Sequence, residues 1–277
     1  MALLLMYITN NPEFALVAEK HGVNRIWIDL ETIGKEERQK NMNTVKSKHK
    51  IEDIEIIKQK LTKSEIMVRV NPWNENSWKE IDRVVNAGAD IIMLPMWTCA
   101  EEVRNFLCAV GGRTKTMLLL ETKEAVECIS TVLQLPGIDE IHVGLNDLHL
   151  SYGMTFMFEL LSNGTVEMLC DRFKGAGIPY GFGGIAKIGE GMLPAEKIIL
   201  EHYRLGSTRA ILSRMFCDNA KIDSIDEIDR VFDVNMRVLR EFEEYAANAG
   251  QSVYLANKSE VAECVNKVVC AMKEKKK

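Results

Sequence analysis

The sequence predicts an α/β fold: a single closed, parallel (β/α)8 TIM barrel with a C-terminal helical extension. Three observations predict it. Short apolar runs alternate with amphipathic stretches along most of the chain, and the strand-like runs number eight, the count that closes a parallel barrel. Several are continuously apolar, such as Ile91-Ile92-Met93-Leu94, as strands covered on both faces are. The length of 277 residues suits one such domain, which commonly runs to about 250 residues.

The first strand is expected at 2–8. The run from Ala2 to Ile8 is apolar but brief, with no basic residues before it and no small-residue cleavage site after it, so it reads as a strand and not as a signal peptide. The second is expected at 24–30. The lysine-rich segment 32–64 carries Ile51, Ile54, Ile57 and Leu61 at helical spacing. It reads as a helix with a solvated basic face, with a lid over the barrel mouth or an anion-binding loop for a coenzyme tail as alternatives. The third strand is expected at 65–70. Ser77-Trp78-Lys79-Glu80 matches a capping box; Trp78, Ile81, Val84 and Val85 share one helical face behind it, and Gly88 is the stop.

The fourth and fifth strands are expected at 90–94 and 115–120. Thr122 is placed to cap a helix carrying Val126, Ile129 and Val132. The sixth and seventh strands are expected at 138–143 and 178–182. Gly181-Phe182-Gly183-Gly184 then reads as a tight turn, with a phosphate-binding loop as the alternative. Pro194 opens a helix with Ile198, Ile199 and Tyr203, and the eighth strand follows at 209–213. Ser224-Ile225-Asp226-Glu227 starts a long amphipathic helix that Gly250 breaks, and Ser259 introduces a short last helix before the basic tail Lys273 to Lys277. The barrel with its long helix is expected over 1–250, and the last helix and tail over 251–277. The apolar face of that end packs either on the barrel's outer ring or on a neighbouring subunit.

Composition narrows the function classes. The hydrophobic fraction of 47% and charged fraction of 27% are those of an ordinary soluble globular protein, and a net charge of −5 argues against nucleic acid or an anionic membrane as the main partner. No apolar run approaches the roughly 18 residues needed to span a bilayer. The seven cysteines are scattered without a Cys-x-x-Cys pair, which reads as reduced core cysteine in a cytoplasmic protein.

The chemistry is concentrated at strand ends. Strand five runs Thr116-Met117-Leu118-Leu119-Leu120 and stops at Glu121; strand six stops at Gly144-Leu145-Asn146-Asp147. In a parallel barrel such ends open on one rim. Two carboxylates facing one hollow repel each other unless a cation lies between them, and oxygen-only ligation suits Mg²⁺ or Mn²⁺. Asp29 and Glu31 end strand two, Arg69 ends strand three, and Arg214 follows strand eight. A guanidinium is the side chain best shaped to hold a carboxylate. The rim therefore suits a small 2-oxo acid chelated to the ion and neutralised by Arg69, and the natural reaction is aldol-type carbon–carbon cleavage beside a carbonyl. Asp29 and Glu31 are candidates for substrate binding, or for second-shell and Arg69-pairing roles. His149, two residues past Asp147, is the candidate for proton transfer. His142 reads as a core residue, and His21, His49 and His202 as surface or helix residues.

Ile26-Trp27-Ile28-Asp29-Leu30-Glu31, Val68-Arg69-Val70-Asn71-Pro72, Gly88 to Pro95, Leu120-Glu121-Thr122, and Pro136-Gly137-Ile138 through Gly144 to Leu148 resemble, in order, the HpcH/HpaI aldolase and citrate lyase beta-subunit family, over roughly residues 20–215. The resemblance implies a metal-dependent barrel lyase, with Glu121 and Asp147 as metal ligands and Arg69 on the substrate carboxylate or its enolate. It implies that backbone amides around Gly144 and Asn146 help bind the acid. It also implies a homo-oligomer with the C-terminal helix exchanged between neighbours. The chain departs from the family at one place that decides chemistry. Pyruvate aldolases carry a histidine just after strand two, and the citrate-lyase branch tends to an Asp-Leu-Glu-Asp run; here Glu31 is followed by Thr32-Ile33-Gly34. An acyl-CoA lyase, and a non-catalytic barrel that binds a metal-chelated carboxylate, stand as the competing readings.

Overall fold

The computed structural model describes residues 2–34, 49–218, 221–222 and 224–274. Eight parallel strands, β1 (Leu4–Ile8), β2 (Arg25–Asp29), β3 (Glu65–Arg69), β4 (Ile91–Leu94), β5 (Lys115–Leu120), β6 (Glu140–Val143), β7 (Tyr180–Ile185) and β8 (Arg209–Leu212), pair in chain order and close through β1 and β8. The expected barrel is the observed one.

Side chains alternate across a strand, so every second residue enters the lumen. On β2 these are Arg25, Trp27 and Asp29; on β3 they are Glu65, Met67 and Arg69. The same period stacks three layers. The middle one is apolar: Met6, Trp27, Met67, Ile91, Met93, Met117 and Leu119 form one buried cluster. Four methionines fill it, an adaptable side chain for an irregular lumen.

The lower layer is ionic. Glu140 accepts from Arg25 Nη1 and Nη2 at 2.5 and 2.7 Å and from Arg209 Nε and Nη2 at 2.6 and 2.9 Å. Glu65 accepts from Arg25 Nε at 2.9 Å and from Lys115 Nζ at 2.6 Å. Each of these residues opens its strand, so the network plugs the N-terminal end of the barrel. Burial works against the Glu140 carboxylate, but the two guanidiniums outweigh it and hold its pKa at about 2. One step up β6, His142 is fully buried with Nε2 3.0 Å from the Gly183 carbonyl. Burial lowers its pKa to about 4, so the ring is neutral and donates through Nε2.

The helices form the outer ring: α1 (Pro12–Lys20), α2 (Glu52–Lys58), α3 (Ser77–Asn86), α4 (Ala100–Val110), α5 (Lys123–Val132), α6 (Leu145–Ser151), α7 (Glu159–Ser162), α8 (Thr165–Gly175), α9 (Ala195–Leu205), α10 (Ile225–Asn248) and α11 (Gln251–Glu274). Several expectations are corrected. The glycine run is not a loop after β7 but part of it, since the strand runs on to Ile185 with an irregularity between Gly181 and Gly184. A Cβ at Gly181 would lie 2.4 Å from the Arg209 carbonyl oxygen, so the glycine serves close strand packing and not phosphate binding.

The capping box at Ser77 does not form: Asn76 is the N-cap, and Glu80 turns instead to the Asn71 backbone N–H and side-chain amide. Trp78 is 53% exposed and stands edge-on to Trp73, off the buried face that Ile81 and Val84 make. The last helix starts directly after Gly250, not at Ser259, and buries Val261, Val265 and Val269 against the chain's own α7 and α9. Of the seven free cysteines only Cys170 and Cys217 are buried, so most are not core residues. The lid and coenzyme-tail readings of segment 32–64 fall largely on 35–48, outside the described residues, as does the tail from 275 on. No helix among the described residues is long and apolar enough to cross a membrane.

Candidate functional site

The upper lumen layer is where charge meets the open end of the barrel. Asp29 and Arg69 are register partners on β2 and β3, so their side chains enter the lumen side by side. Asp29 accepts from Arg69 Nε and Nη2, both at 2.9 Å, and Glu31 Oε2 lies 3.2 Å from Nη1. The guanidinium also sits over the Trp27 ring, 5.0 Å from its centroid. Burial disfavours the charged Arg69, but the charges of Asp29 and Glu31, the Asp29 hydrogen bonds and the charge of Glu121 outweigh it and raise its pKa. Three of the five guanidinium N–H groups are thus engaged, and one each on Nη1 and Nη2 is left for a further acceptor.

Glu121 follows β5 at the same level and is 2% exposed. The next residue anchors the turn: Thr122 Oγ1 donates to the Trp97 carbonyl and accepts from the Ala125 N–H, so the expected cap is present. Across from Glu121 the chain has no side chain. A Cβ on Gly144 would lie 2.7 Å from Glu121 Oε2 and 3.0 Å from Glu121 Cβ. The glycine is therefore the cradle that lets this carboxylate lie over the end of β6. Gly144 is also the N-cap of α6, which places Asp147 in the first turn of that helix. The Gly144 N–H is committed to the Leu120 carbonyl at 2.8 Å, so it is not available to bind a substrate acid. Asn146 is exposed.

Gly144 has φ −81° and ψ 86°, a conformation that does not require glycine. Gly144→Ala should therefore act chiefly through the displaced Glu121, with Leu119 Cδ1 at 3.3 Å the lesser neighbour. Turnover is expected to fall by about a hundredfold, the cost of an ångström-scale misplacement, with the thermal midpoint nearly unchanged. Parallel kinetics and melting curves check this; full activity in the variant would mean that Glu121 does not need its present position.

The histidines divide sharply. His149 is buried with Nδ1 3.2 Å from the Leu145 carbonyl of its own helix. Residues two apart on a helix do not share a face, so the structure does not bring His149 to Asp147. His21 pairs with Asp229 on the outer ring, and His202 is buried with its ring stacked on Phe182 at 3.9 Å. His49, expected on the surface or in a helix, is at the rim. Its Nδ1 accepts the backbone N–H of Asp29 at 2.9 Å. Sequence reasoning missed it because twenty positions separate it from Asp29. Arg214 lies exposed beyond β8.

The donor set suits a hard divalent cation. Among the described residues no cluster of three or more His, Cys, Asp or Glu side chains is arranged to hold an ion. Mg²⁺ does not ask for one, since it is held by one or two carboxylates and completes its shell with water and substrate oxygens. Glu121, seated against Gly144, and Asp147, in the first turn of α6, are carboxylates of the kind such an ion takes.

Residues 3–159 match the family described as HpcH/HpaI aldolase/citrate lyase. No curated protein sequence matches the chain. Among solved structures, the chain is similar to an HpcH/HpaI aldolase from Desulfitobacterium hafniense DCB-2, with 16% identity, 76% of this chain and 86% of that one covered, and a TM-score of 0.57. It is similar to an HpcH/HpaI aldolase/citrate lyase family protein from Burkholderia cenocepacia J2315, with 13% identity, coverage of 87% and 94%, and a TM-score of 0.58. It is similar as well to the citrate synthase SbnG, with 14% identity, coverage of 88% and 95%, and a TM-score of 0.57. At such identities the structural likeness speaks for the barrel alone. The sequence match spans more than half of the chain and takes in β1 to β6 with Arg69, Glu121 and Asp147, and on that ground the chain belongs to the HpcH/HpaI aldolase/citrate lyase family.

Proposed function

We propose that the chain is a divalent-metal-dependent carbon–carbon lyase of the aldolase type, acting on a 2-oxo acid or a related small carboxylate. Family membership supports an aldolase or lyase chemistry. The single observation that carries the finer reading is the buried Glu121 carboxylate seated in the Gly144 cradle, one helical turn from Asp147 and close enough to Arg69 to raise its pKa.

Glu121 and Asp147 would hold Mg²⁺ or Mn²⁺, which when bound supplies Lewis-acid polarisation to a carbonyl oxygen. The rest falls to the protein's own groups. Arg69 offers its two remaining N–H groups to the substrate carboxylate or keto oxygen. Asp29 and Glu31 act on the substrate through Arg69: they fix the guanidinium in one orientation, so no conformational freedom is lost when the acid arrives. The apolar layer under the rim keeps water from the lumen side, which strengthens each of these interactions.

The test is a screen of hydroxy-oxo acids for pyruvate release, or of pyruvate with short aldehydes for condensation, with Mg²⁺ or Mn²⁺ added. Turnover that chelator removes and Arg69→Ala abolishes is expected. Turnover that persists with the metal stripped away would contradict the reading, and so would the absence of any 2-oxo acid turnover.

A further inference from the structure

One member of the apolar middle layer is unlike the rest. Trp27 enters the lumen between Arg25 and Asp29 of β2, and every other side chain of its layer is methionine, isoleucine or leucine. It is 6% exposed, and its indole Nε1 is buried with no hydrogen-bond partner among the described residues. A buried N–H without an acceptor costs free energy, and a purely apolar side chain would line the lumen without that cost. What the indole supplies instead is the best ring face for holding a cation. Arg69 lies on that face. Register pairs Trp27 with Met67 and Asp29 with Arg69, so the guanidinium stands one layer up on the neighbouring strand, its Cζ 5.0 Å from the ring centroid.

We propose that Trp27 is a positioning residue for the substrate acid, acting through the face of Arg69. This rests on the aldolase reading above, in which Arg69 receives the carboxylate or keto oxygen of a 2-oxo acid. The five N–H groups of a guanidinium lie in one plane. Asp29 and Glu31 grip that plane by its edge, at Nε, Nη2 and Nη1. Their grip sets the direction of the fork but leaves the plane free to tilt. A ring under the face opposes the tilt, because the cation is drawn to the centre of the ring. The Arg69 side chain is 12% exposed, so water does little to weaken that attraction. The tilt decides where the remaining N–H groups on Nη1 and Nη2 point, and so whether both reach one acid at once.

The experiment replaces Trp27 alone with tryptophans carrying successively more fluorine on the ring, leaving Trp73, Trp78 and Trp97 as they are. Fluorine draws electrons from the face of the ring and keeps its shape. Binding of pyruvate, and of 2-oxobutyrate as a second probe, is measured by calorimetry with Mn²⁺ present, and Mn²⁺ affinity is measured by itself. Affinity for the acid should fall step by step with fluorine content, to about tenfold at the weakest face, with Mn²⁺ affinity unchanged. Trp27→Phe keeps a weaker face and should fall between wild type and Trp27→Leu, which has none. Affinity that stays flat across the fluorinated series overturns the inference, because a packing role depends on shape alone. Trp27→Leu binding as tightly as wild type overturns it too. A wild type that binds neither acid overturns the 2-oxo acid reading itself, and this inference with it.

Discussion

Glu121→Gln is expected to lower turnover by about a thousandfold while leaving the fold nearly as stable as before. The two effects have one cause. Glu121 is 2% exposed, and its charge is one of those that raise the Arg69 pKa. Gln keeps the shape that fits against Gly144 and removes the charge, while Arg69 keeps its Asp29 and Glu31 partners. The same change removes half of the protein's charge at the proposed cation site. Charge stabilisation by a bound metal is worth several kcal/mol in the transition state, and each 1.4 kcal/mol is about tenfold in rate. Kinetics of the Mn²⁺-loaded protein and thermal melting of the metal-free protein together read both effects. A variant that is active and less stable would show Glu121 to be a structural residue.

The opposite end of the same barrel should respond in the reverse way. Glu140→Gln is expected to destabilise the protein by about 3–5 kcal/mol, the usual cost of breaking a buried ion pair from one side. Arg25 and Arg209 would then face each other in the lumen without the anion they share. The pKa agrees in size: a shift from 4.5 to about 2 corresponds to roughly 3 kcal/mol. The sign follows from the direction. A carboxylate whose pKa is depressed on folding adds stability that is fully present above pH 4.5 and is lost as the pH falls through about 2. Urea unfolding should therefore show a wild-type advantage over Glu140→Gln that is constant near neutrality and shrinks between about pH 4.5 and 2. Metal affinity should be unchanged in the variant, because the network lies below the apolar middle layer, away from the rim. An advantage independent of pH over that window would contradict the account.

Much of this was legible in the sequence because barrels repeat a simple period. Continuous apolar runs such as Ile91 to Leu94 read as strands buried on both faces, and the strand ends at Asp29, Arg69 and Glu121 read as one rim. The salt bridge from Asp29 and Glu31 to Arg69 follows from neighbouring strand ends. What the sequence did not reveal depends on tertiary context. Glu80 could serve Ser77 or Asn71, and the packing of the β3–α3 turn decided for Asn71. The glycine run looked like a loop because a strand seldom carries three glycines; the need is that a Cβ at Gly181 would lie 2.4 Å from the Arg209 carbonyl oxygen, invisible to any local pattern. The last helix begins eight residues before Ser259 because α7 and α9 give its first turns a surface to lie on. His49 is the clearest case. Its ring lies against the Asp29 backbone N–H, twenty positions away along the chain, and no spacing rule connects the two.

The most direct measurement is a calorimetric titration of Mg²⁺ or Mn²⁺ into the wild-type protein, Glu121→Gln and Asp147→Asn. The account predicts one ion bound per wild-type chain and no measurable binding in either variant. Unchanged affinity in both variants would contradict it.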